Sequence, residues 1–363
     1  MRLAVVTTWY PSREDRVEGV FVARHVEALR RAPRLDLDVD VVHLASRPGT
    51  PLSPDVTRVV VDRRDPASLL AARRTVHRRL ERADVLHTHV FSTLLLLAGF
   101  RTAVPWVHSE HWSGVSDPQS GGPVWQRLAG ARRLLARPDV VTAVSGYLAD
   151  AVRPFRRGQL DVVPNVVPVP DRPTPADDDG RLRLLSVGNL RPVKDPLLAV
   201  EVLAELRRRG HDAVLRWVGD GPLRAGVERR ATELGVRDRL TLLGRLAPEQ
   251  FAHEWGACRV FLLPSHYETF CVAGAEALGH GRPAVLGARG GARDFAGPGV
   301  HLVADRAVAS WADAVEAAAA DRLDPGLIAG PIRDHFSPGA VAEGFSRVLG
   351  SVGRPRSTRP GAS

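Results

Sequence analysis

The chain is poor in cysteine, methionine and aromatic residues: two cysteines, Cys258 and Cys271, one methionine and 6% aromatics in 363 residues. Two cysteines cannot build a disulfide framework, and their spacing fits no metal knuckle. The expected compartment is a reducing cytoplasm. Long apolar runs are also missing. The longest, near "FSTLLLLAGF", falls far short of the ~20 residues that span a bilayer. The opening "MRLAVVTTWYPSRED" turns polar too soon for a signal peptide and reads as a first strand. Acidic charge is outweighed, with 41 Asp and Glu against 50 Lys and Arg, for a formal charge of +9. That balance suits an anionic partner, whether nucleic acid, anionic lipid or a phosphorylated substrate, or else a surface of solvated arginine. The basic residues are dispersed and lack interleaved aromatics, so nucleic acid is not the expected partner.

What is present is alternation. Strand-like "RLAVVTT", "DVDVVHLAS", "VTRVVVD", "ADVLHTH", "VPWVHSEH" and "DVVTAVS" are interleaved with helical segments. In "GVFVARHVEALRR", Val22, Val26 and Leu29 share one helical face. "LDVVPN" closes the series. Residues 166–181, "VVPVPDRPTPADDDGR", are rich in Pro and Asp without periodicity and read as a linker. A second series follows, from "RLRLLSVGN" through "AVLRWVGDG", "LTLLGR" and "VFLLPS" to "PAVLGA". The pattern predicts an α/β protein with two Rossmann-like domains, 1–165 and 182–336, whose parallel sheets face an interdomain cleft. Residues 337–350 read as a C-terminal helix returning to the first domain, and 351–363 as a disordered basic tail. Ligands of such sheets sit beyond the carboxyl ends of the strands.

Several strand ends carry chemistry. "SVGNLRPVKD" places Gly188 and Asn189 at a strand end and Arg191 and Lys194 before a helix. That is either a phosphate site or a solvated loop. After "WVGDGPLR" the third glycine is displaced to Gly226, so a dinucleotide fingerprint is not supported and Gly219 and Gly221 read as turn glycines. "SHYETFCVAGAEAL" sets Glu268 in a loop and Glu276 in the helix that follows, with the amides of Phe270, Cys271 and Val272 at the helix start. A helix start can hold a diphosphate, and a carboxylate can accept two ribose hydroxyls. The alternative is a capping glutamate and a buried ion pair.

Histidines also recur. "HTH" puts His87 and His89 on one side of a strand, and "HSEH" supplies His108 and His111. No carboxylate-rich neighbour accompanies them, so no metal is expected. Asp177–Asp179 lie in the linker and Asp38 and Asp40 open a strand, which suits solvation better than metal binding. The helix "ASLLAARRTVHRRLER" sets Leu69, Leu70, Val76 and Leu80 against Arg73, Arg74, Arg78, Arg79 and Arg82. It is either a solvated face or a peripheral contact with an anionic membrane surface.

Taken in order, the E-x7-E segment, "GNLRPVK", "VGDGPLR" and "VVPN" resemble the retaining glycosyltransferases of family four, over roughly residues 1–350. The resemblance implies a two-domain GT-B fold and transfer of a sugar from a nucleoside diphosphate to an acceptor hydroxyl, with no metal and no cofactor beyond that substrate. It implies donor binding by Gly19, Asn189, Arg191, Lys194, Arg245, Glu268, Phe270, Cys271, Val272 and Glu276. Glu276 would meet the ribose, Glu268 the transferred sugar, and Lys194 the diphosphate. His111, Lys194 and Glu268 are the implied catalytic set. The sequence departs from the family pattern at Asn189, usually Arg, at Thr269 and Cys271, usually glycines, and at Asp294, usually Glu. Those departures put donor preference in question. The acceptor is not named by the sequence. Two other readings remain: a nucleotide-sugar epimerase on the same fold, and a basic nucleic-acid-binding protein.

Overall fold

A computed structural model describes residues 1–32, 35–117, 122–127, 129–174, 180–246, 248–295 and 297–352. They fall into two compact units. Unit 1 comprises Met1–Val166 and the C-terminal segment from Pro338; unit 2 is Val167–Ser337.

Unit 1 carries β1 (Arg2–Thr7), β2 (Asp38–Ala45), β3 (Val56–Val60), β4 (Val85–His89), β5 (Trp106–Glu110), β6 (Val140–Ala143) and β7 (Gln159–Val162). All pairings are parallel, in the order β3-β2-β1-β4-β5-β6-β7. Its helices are α1 (Val20–Arg30), α2 (Pro66–Leu80), α3 (Phe91–Leu96), α4 (Ser113–Ser116), α5 (Gly122–Arg127) and α6 (Gly146–Val152). Every residue of β4 and β5 is buried, as a parallel strand covered on both faces requires.

Unit 2 carries β8 (Leu182–Val187), β9 (Ala213–Val218), β10 (Leu240–Gly244), β11 (Val260–Leu263), β12 (Ala284–Gly287) and β13 (Val300–Val303). Their order is β10-β9-β8-β11-β12-β13, again parallel. Its helices are α7 (Pro196–Arg208), α8 (Arg224–Glu233), α9 (Pro248–Ala257), α10 (Val272–Gly279), α11 (Val308–Ala320) and α12 (Pro325–Phe336). The last helix, α13 (Pro338–Val352), belongs to unit 1, where Val341, Phe345 and Leu349 join the core. The expected class, two Rossmann-like parallel-sheet units, is the one the chain forms.

Local departures have physical reasons. Val22, Val26 and Leu29 are fully buried as their spacing predicts, and His25 is buried on the same stripe. On α2 the buried stripe is Ala72, Val76 and Leu80, while Leu70 is 48% exposed. Arg73 and Arg79 do not face solvent freely. Arg73 donates to the carbonyls of Leu96 and Ala98, and Arg79 donates to Thr57 and pairs with Asp40. The expected linker is partly packed: Val166 and Val167 are buried, and Arg282 donates to the Thr174 carbonyl at 2.6 Å. Residues 175–179, which include Asp177–Asp179, lie outside the described residues, as does the tail from residue 353. α13 runs two residues past the expected helix end. No helix among the described residues is long and apolar enough to cross a membrane.

In each sheet the strand order reverses once, between β1 and β4 in unit 1 and between β8 and β11 in unit 2. At such a switch the two chain exits diverge to opposite faces of the sheet and leave a crevice.

Candidate functional site

In unit 2 the loops after β8 and β11 meet at that switch. The β8 exit is shaped by glycines elsewhere. A Cβ at Gly219, whose φ is +131°, would sit 2.1 Å from the Gly188 carbonyl oxygen, and one at Gly221 would sit 2.5 Å from that of Leu190. These glycines therefore permit close backbone approach between two loops, which is more than a turn requires. The chain then makes a tight turn at Pro192–Lys194, and Asp195 caps α7 by accepting from the Leu198 amide.

Lys194 Nζ donates to Glu268 Oε1, and Ser265 Oγ donates to the same oxygen at 2.7 Å. The lysine side chain is 24% exposed and that of Glu268 16%. Burial disfavours the ammonium most strongly, but Glu268, joined by Cys271 and Tyr267, outweighs it and raises the Lys194 pKa. Glu268 is held from behind: its carbonyl accepts from the Gly291 amide at 2.9 Å, and a Cβ at Gly290 would lie 2.1 Å from that carbonyl.

The two loops are also tied together. The His266 amide donates to the Val193 carbonyl at 2.8 Å. Arg306, just past β13, donates to Asp195 Oδ2 in the β8 loop and to the Pro264 carbonyl in the β11 loop.

α10 starts from Cys271, whose φ of +75° is a left-handed conformation that favours glycine. This explains why cysteine there is unusual, and why the position tolerates little else. The thiol is buried, which with Glu268 pushes it up to about 12, so it packs as a protonated side chain. Phe270 is buried edge-to-face against Phe295 and Phe336, with centroids 5.2 and 5.4 Å away. Only the backbones of Phe270 and Cys271 are thus left to meet a ligand. Glu276 is half-buried, four residues after Val272 and so on the same helical face. Asn189 and Arg191, after β8, and Arg245, after β10, have exposed side chains.

In unit 1 Gly19 precedes α1 at φ +65°, and a Cβ there would lie 2.4 Å from the Trp9 carbonyl carbon. The residue is forced to be glycine both by conformation and by contact with the loop leaving β1. His111 follows β5 and is 6% exposed. Both its ring nitrogens are engaged: Nε2 lies 3.1 Å from His89 Nδ1 and Nδ1 lies 3.2 Å from Asn165 Oδ1. Burial, reinforced by His25 and His108, drives its pKa well below the usual value, so the ring is neutral. One ring nitrogen from each of His25, His89 and His111 lies within 4.8 Å of the others. His108 is turned into the core, 2.9 Å from Thr88 Oγ1 and 3.2 Å from Glu110 Oε2.

Three residues of this region escape sequence reasoning. Glu110 is fully buried, and its Oε1 accepts from the amides of Phe91, His111 and Trp112. The glutamate inside "HSEH" was its only signal. Asn165 stands in "VVPN" but showed no partner until the fold brought it to His111. His25 lies three residues after Val22 and four before Leu29, which places it on the apolar stripe.

The comparisons divide at nearly the same place as the units. Residues 171–330 match the family model described as Glycosyl transferases group 1, and residues 19–169 that described as Glycosyltransferase Family 4. A D-inositol 3-phosphate glycosyltransferase of Frankia alni is 30% identical over 64% of this chain and 65% of its own length. The chain thus spans just under two thirds of that relative. A 2-deoxystreptamine glucosyltransferase of Streptomyces kanamyceticus is 29% identical over 75% of this chain and 80% of its own. Among solved structures, a sucrose-phosphate synthase from Thermosynechococcus elongatus superposes with a TM-score of 0.78 at 19% identity, covering 97% of this chain and 99% of that one. The Anabaena protein HepE in complex with UDP and glucose superposes with a TM-score of 0.75 at 17% identity, over 97% and 100% of the two chains.

Proposed function

Because the chain belongs to the family-four glycosyltransferases with the GT-B fold, we propose that it moves a sugar from a nucleoside diphosphate to an acceptor hydroxyl with retained anomeric configuration. The observation that carries the reading is the Lys194–Glu268 pair at the β8–β11 switch, four residues ahead of the first turn of α10. In this reading the amides at the α10 start and Lys194 hold the diphosphate, and their stabilisation of charge on the leaving phosphate supplies most of the rate. Glu268 uses Oε2 for hydroxyls of the transferred sugar, because Lys194 and Ser265 converge on Oε1. Glu276, half-buried on the α10 face that also carries Val272, takes the ribose hydroxyls. Arg191 and Asn189 border the phosphates, and Arg245 reaches the base.

His111 has both ring nitrogens engaged within unit 1, so its part in transfer would be ring contact rather than proton transfer. For the acceptor we favour a small polyhydroxylated ring, the chemistry shared by inositol phosphate and 2-deoxystreptamine in the names of the two relatives. A peripheral contact with anionic lipid would use Arg74, Arg78 and Arg82, which are exposed at α2, whereas the exposed Arg79 is paired with Asp40.

The test is transfer itself. Hexose donors carrying UDP, GDP, ADP or TDP are incubated with inositol 3-phosphate or 2-deoxystreptamine, and the product's anomeric proton is read by NMR. A product with the donor's configuration supports the reading. An inverted product contradicts retention, and an epimerised free sugar nucleotide would put an epimerase in its place.

A further inference from the structure

Beyond sugar transfer, unit 1 holds an unusual set of buried nitrogens, one of them on His111. His25 comes from α1, His89 from the end of β4 and His111 from the turn after β5. His25 and His89 are fully buried.

Their hydrogen bonds determine where the lone pairs are. His25 Nε2 lies 2.9 Å from the Pro164 carbonyl, which can only accept, so Nε2 carries the proton and Nδ1 the lone pair. That Nδ1 is buried and has no hydrogen-bond partner. His111 Nδ1 faces Asn165 Oδ1 and donates to it, so the lone pair of His111 is on Nε2. His89 Nδ1, 3.1 Å from that nitrogen, must then donate. The lone pair left on His89 Nε2 is buried and unmet. A buried orphaned acceptor is costly, because buried polar atoms are nearly always satisfied, and His25 Nδ1 is the one that an ion shared with His89 Nδ1 and His111 Nε2 would satisfy.

We propose that His25, His89 and His111 bind one divalent transition-metal ion of the zinc, cobalt or nickel class within unit 1. Three imidazoles suit those borderline ions, whereas magnesium and calcium prefer oxygen ligands. A tetrahedral site with metal–nitrogen bonds of about 2.1 Å spaces its ligand atoms by roughly 3.4 Å. The His89–His111 pair, at 3.1 Å, is close to that spacing, and the His25 nitrogen, within 4.8 Å of both, would move in on binding.

For His25 and His111 the outer partners match what metal-bound histidines use, a carbonyl or amide oxygen accepting from the ring nitrogen that faces away. Here they are consecutive residues, Pro164 and Asn165, the last two of "VVPN". Binding moves the His89 proton from Nδ1 to Nε2 and releases none, since all three rings are neutral. Burial holds His25 at about 4 and the other two well below the ordinary histidine value. Glu110, whose Oε1 accepts from the His111 amide at 2.9 Å, places a carboxyl group beside the cluster. Three protein ligands leave a fourth position for water or another donor.

The experiment titrates the full chain, freed of metal by chelation, with cobalt(II) and follows the visible bands of four-coordinate cobalt. One equivalent should bind, and His25→Phe, which keeps an aromatic ring against Phe345, should weaken binding by about a hundredfold or more. His89→Gln should do the same, and zinc should displace the cobalt. Folding of each variant is checked by circular dichroism. Absence of the bands in the unaltered chain overturns the proposal whatever the variants do. So does folded His25→Phe or His89→Gln protein that binds cobalt as the unaltered chain does.

Discussion

Lys194 and Glu268, one from each side of the point where the unit 2 sheet reverses its strand order, are bonded to each other. Each therefore has a partner before any ligand arrives. Lys194→Ala removes the cation proposed to stabilise the leaving phosphate. The expected loss in kcat is about 10²- to 10³-fold, with the fold retained. Glu268→Ala in the same background should cost much less than it does alone, because the two residues serve one site. Steady-state rates of the single and double variants check this. Multiplying losses would show that the residues act separately.

Glu276 is assigned to binding rather than to the bond-breaking step. Glu276→Ala should raise the donor KM by about tenfold or more, the value of hydrogen bonds to a charged group, and change kcat less. A loss confined to kcat would instead place Glu276 at the reacting centre.

Gly19 is strained for any other residue. Gly19→Ala adds a Cβ at φ +65° and 2.4 Å from the Trp9 carbonyl carbon. A left-handed alanine alone costs about 1–2 kcal/mol, and the contact adds to it by pushing the β1 exit loop. Thermal melting should register the loss. A variant as stable as the parent would mean that the α1 start relaxes without cost.

Arg306 joins the loops that carry Lys194 and Glu268 without belonging to either. Arg306→Ala should lower kcat through misplacement of the pair and also lower stability, because Asp195 loses a partner while still capping α7. Arg306→Lys should recover part of the stability but less of the rate, since one ammonium cannot reproduce the guanidinium's two-sided contact. Equal recovery of both would assign Arg306 a purely structural role.

Buried histidines make unit 1 sensitive to acid. Burial lowers His25 to about 4 and His87 to about 3 in the folded chain, against 6.5 unfolded. Above pH 6.5 both states leave them neutral and stability is full. As pH falls from 6.5 toward 4, the unfolded chain takes up protons that the folded chain refuses. The unfolding free energy should then drop by up to about 1.4 kcal/mol per pH unit for each histidine. Urea melts of metal-free protein across that range measure it, and His25→Phe should flatten the slope. A midpoint constant from pH 7 to pH 4 would contradict the buried, neutral state.

The parallel-sheet class was legible because apolar strands alternate with amphipathic helices, and a sheet covered on both faces leaves no other pattern. The spacing of Lys194, Glu268 and Glu276 from their strand ends was legible for the same reason: the switch point lies at strand termini. What stayed hidden depends on contacts between distant segments. Gly219 and Gly221 looked like turn glycines until the loop they pack against was in place. Arg306 was one arginine among many until it bridged Asp195 and Pro264. His25 was overlooked because a polar residue on an apolar stripe declares nothing without the rings it meets, and Leu70 was placed inward by a pattern that Val76 and Leu80 alone satisfy.

The most direct test of the donor site is calorimetric titration of the purified chain with UDP, GDP, ADP and TDP, beside Glu276→Ala. One nucleoside diphosphate should bind at a single site, raise the melting temperature at saturation, and bind at least about tenfold more weakly to the variant. No binding of any of the four to the folded chain, or binding that Glu276→Ala leaves unchanged, would contradict the assignment of the donor to the β8–β11 switch.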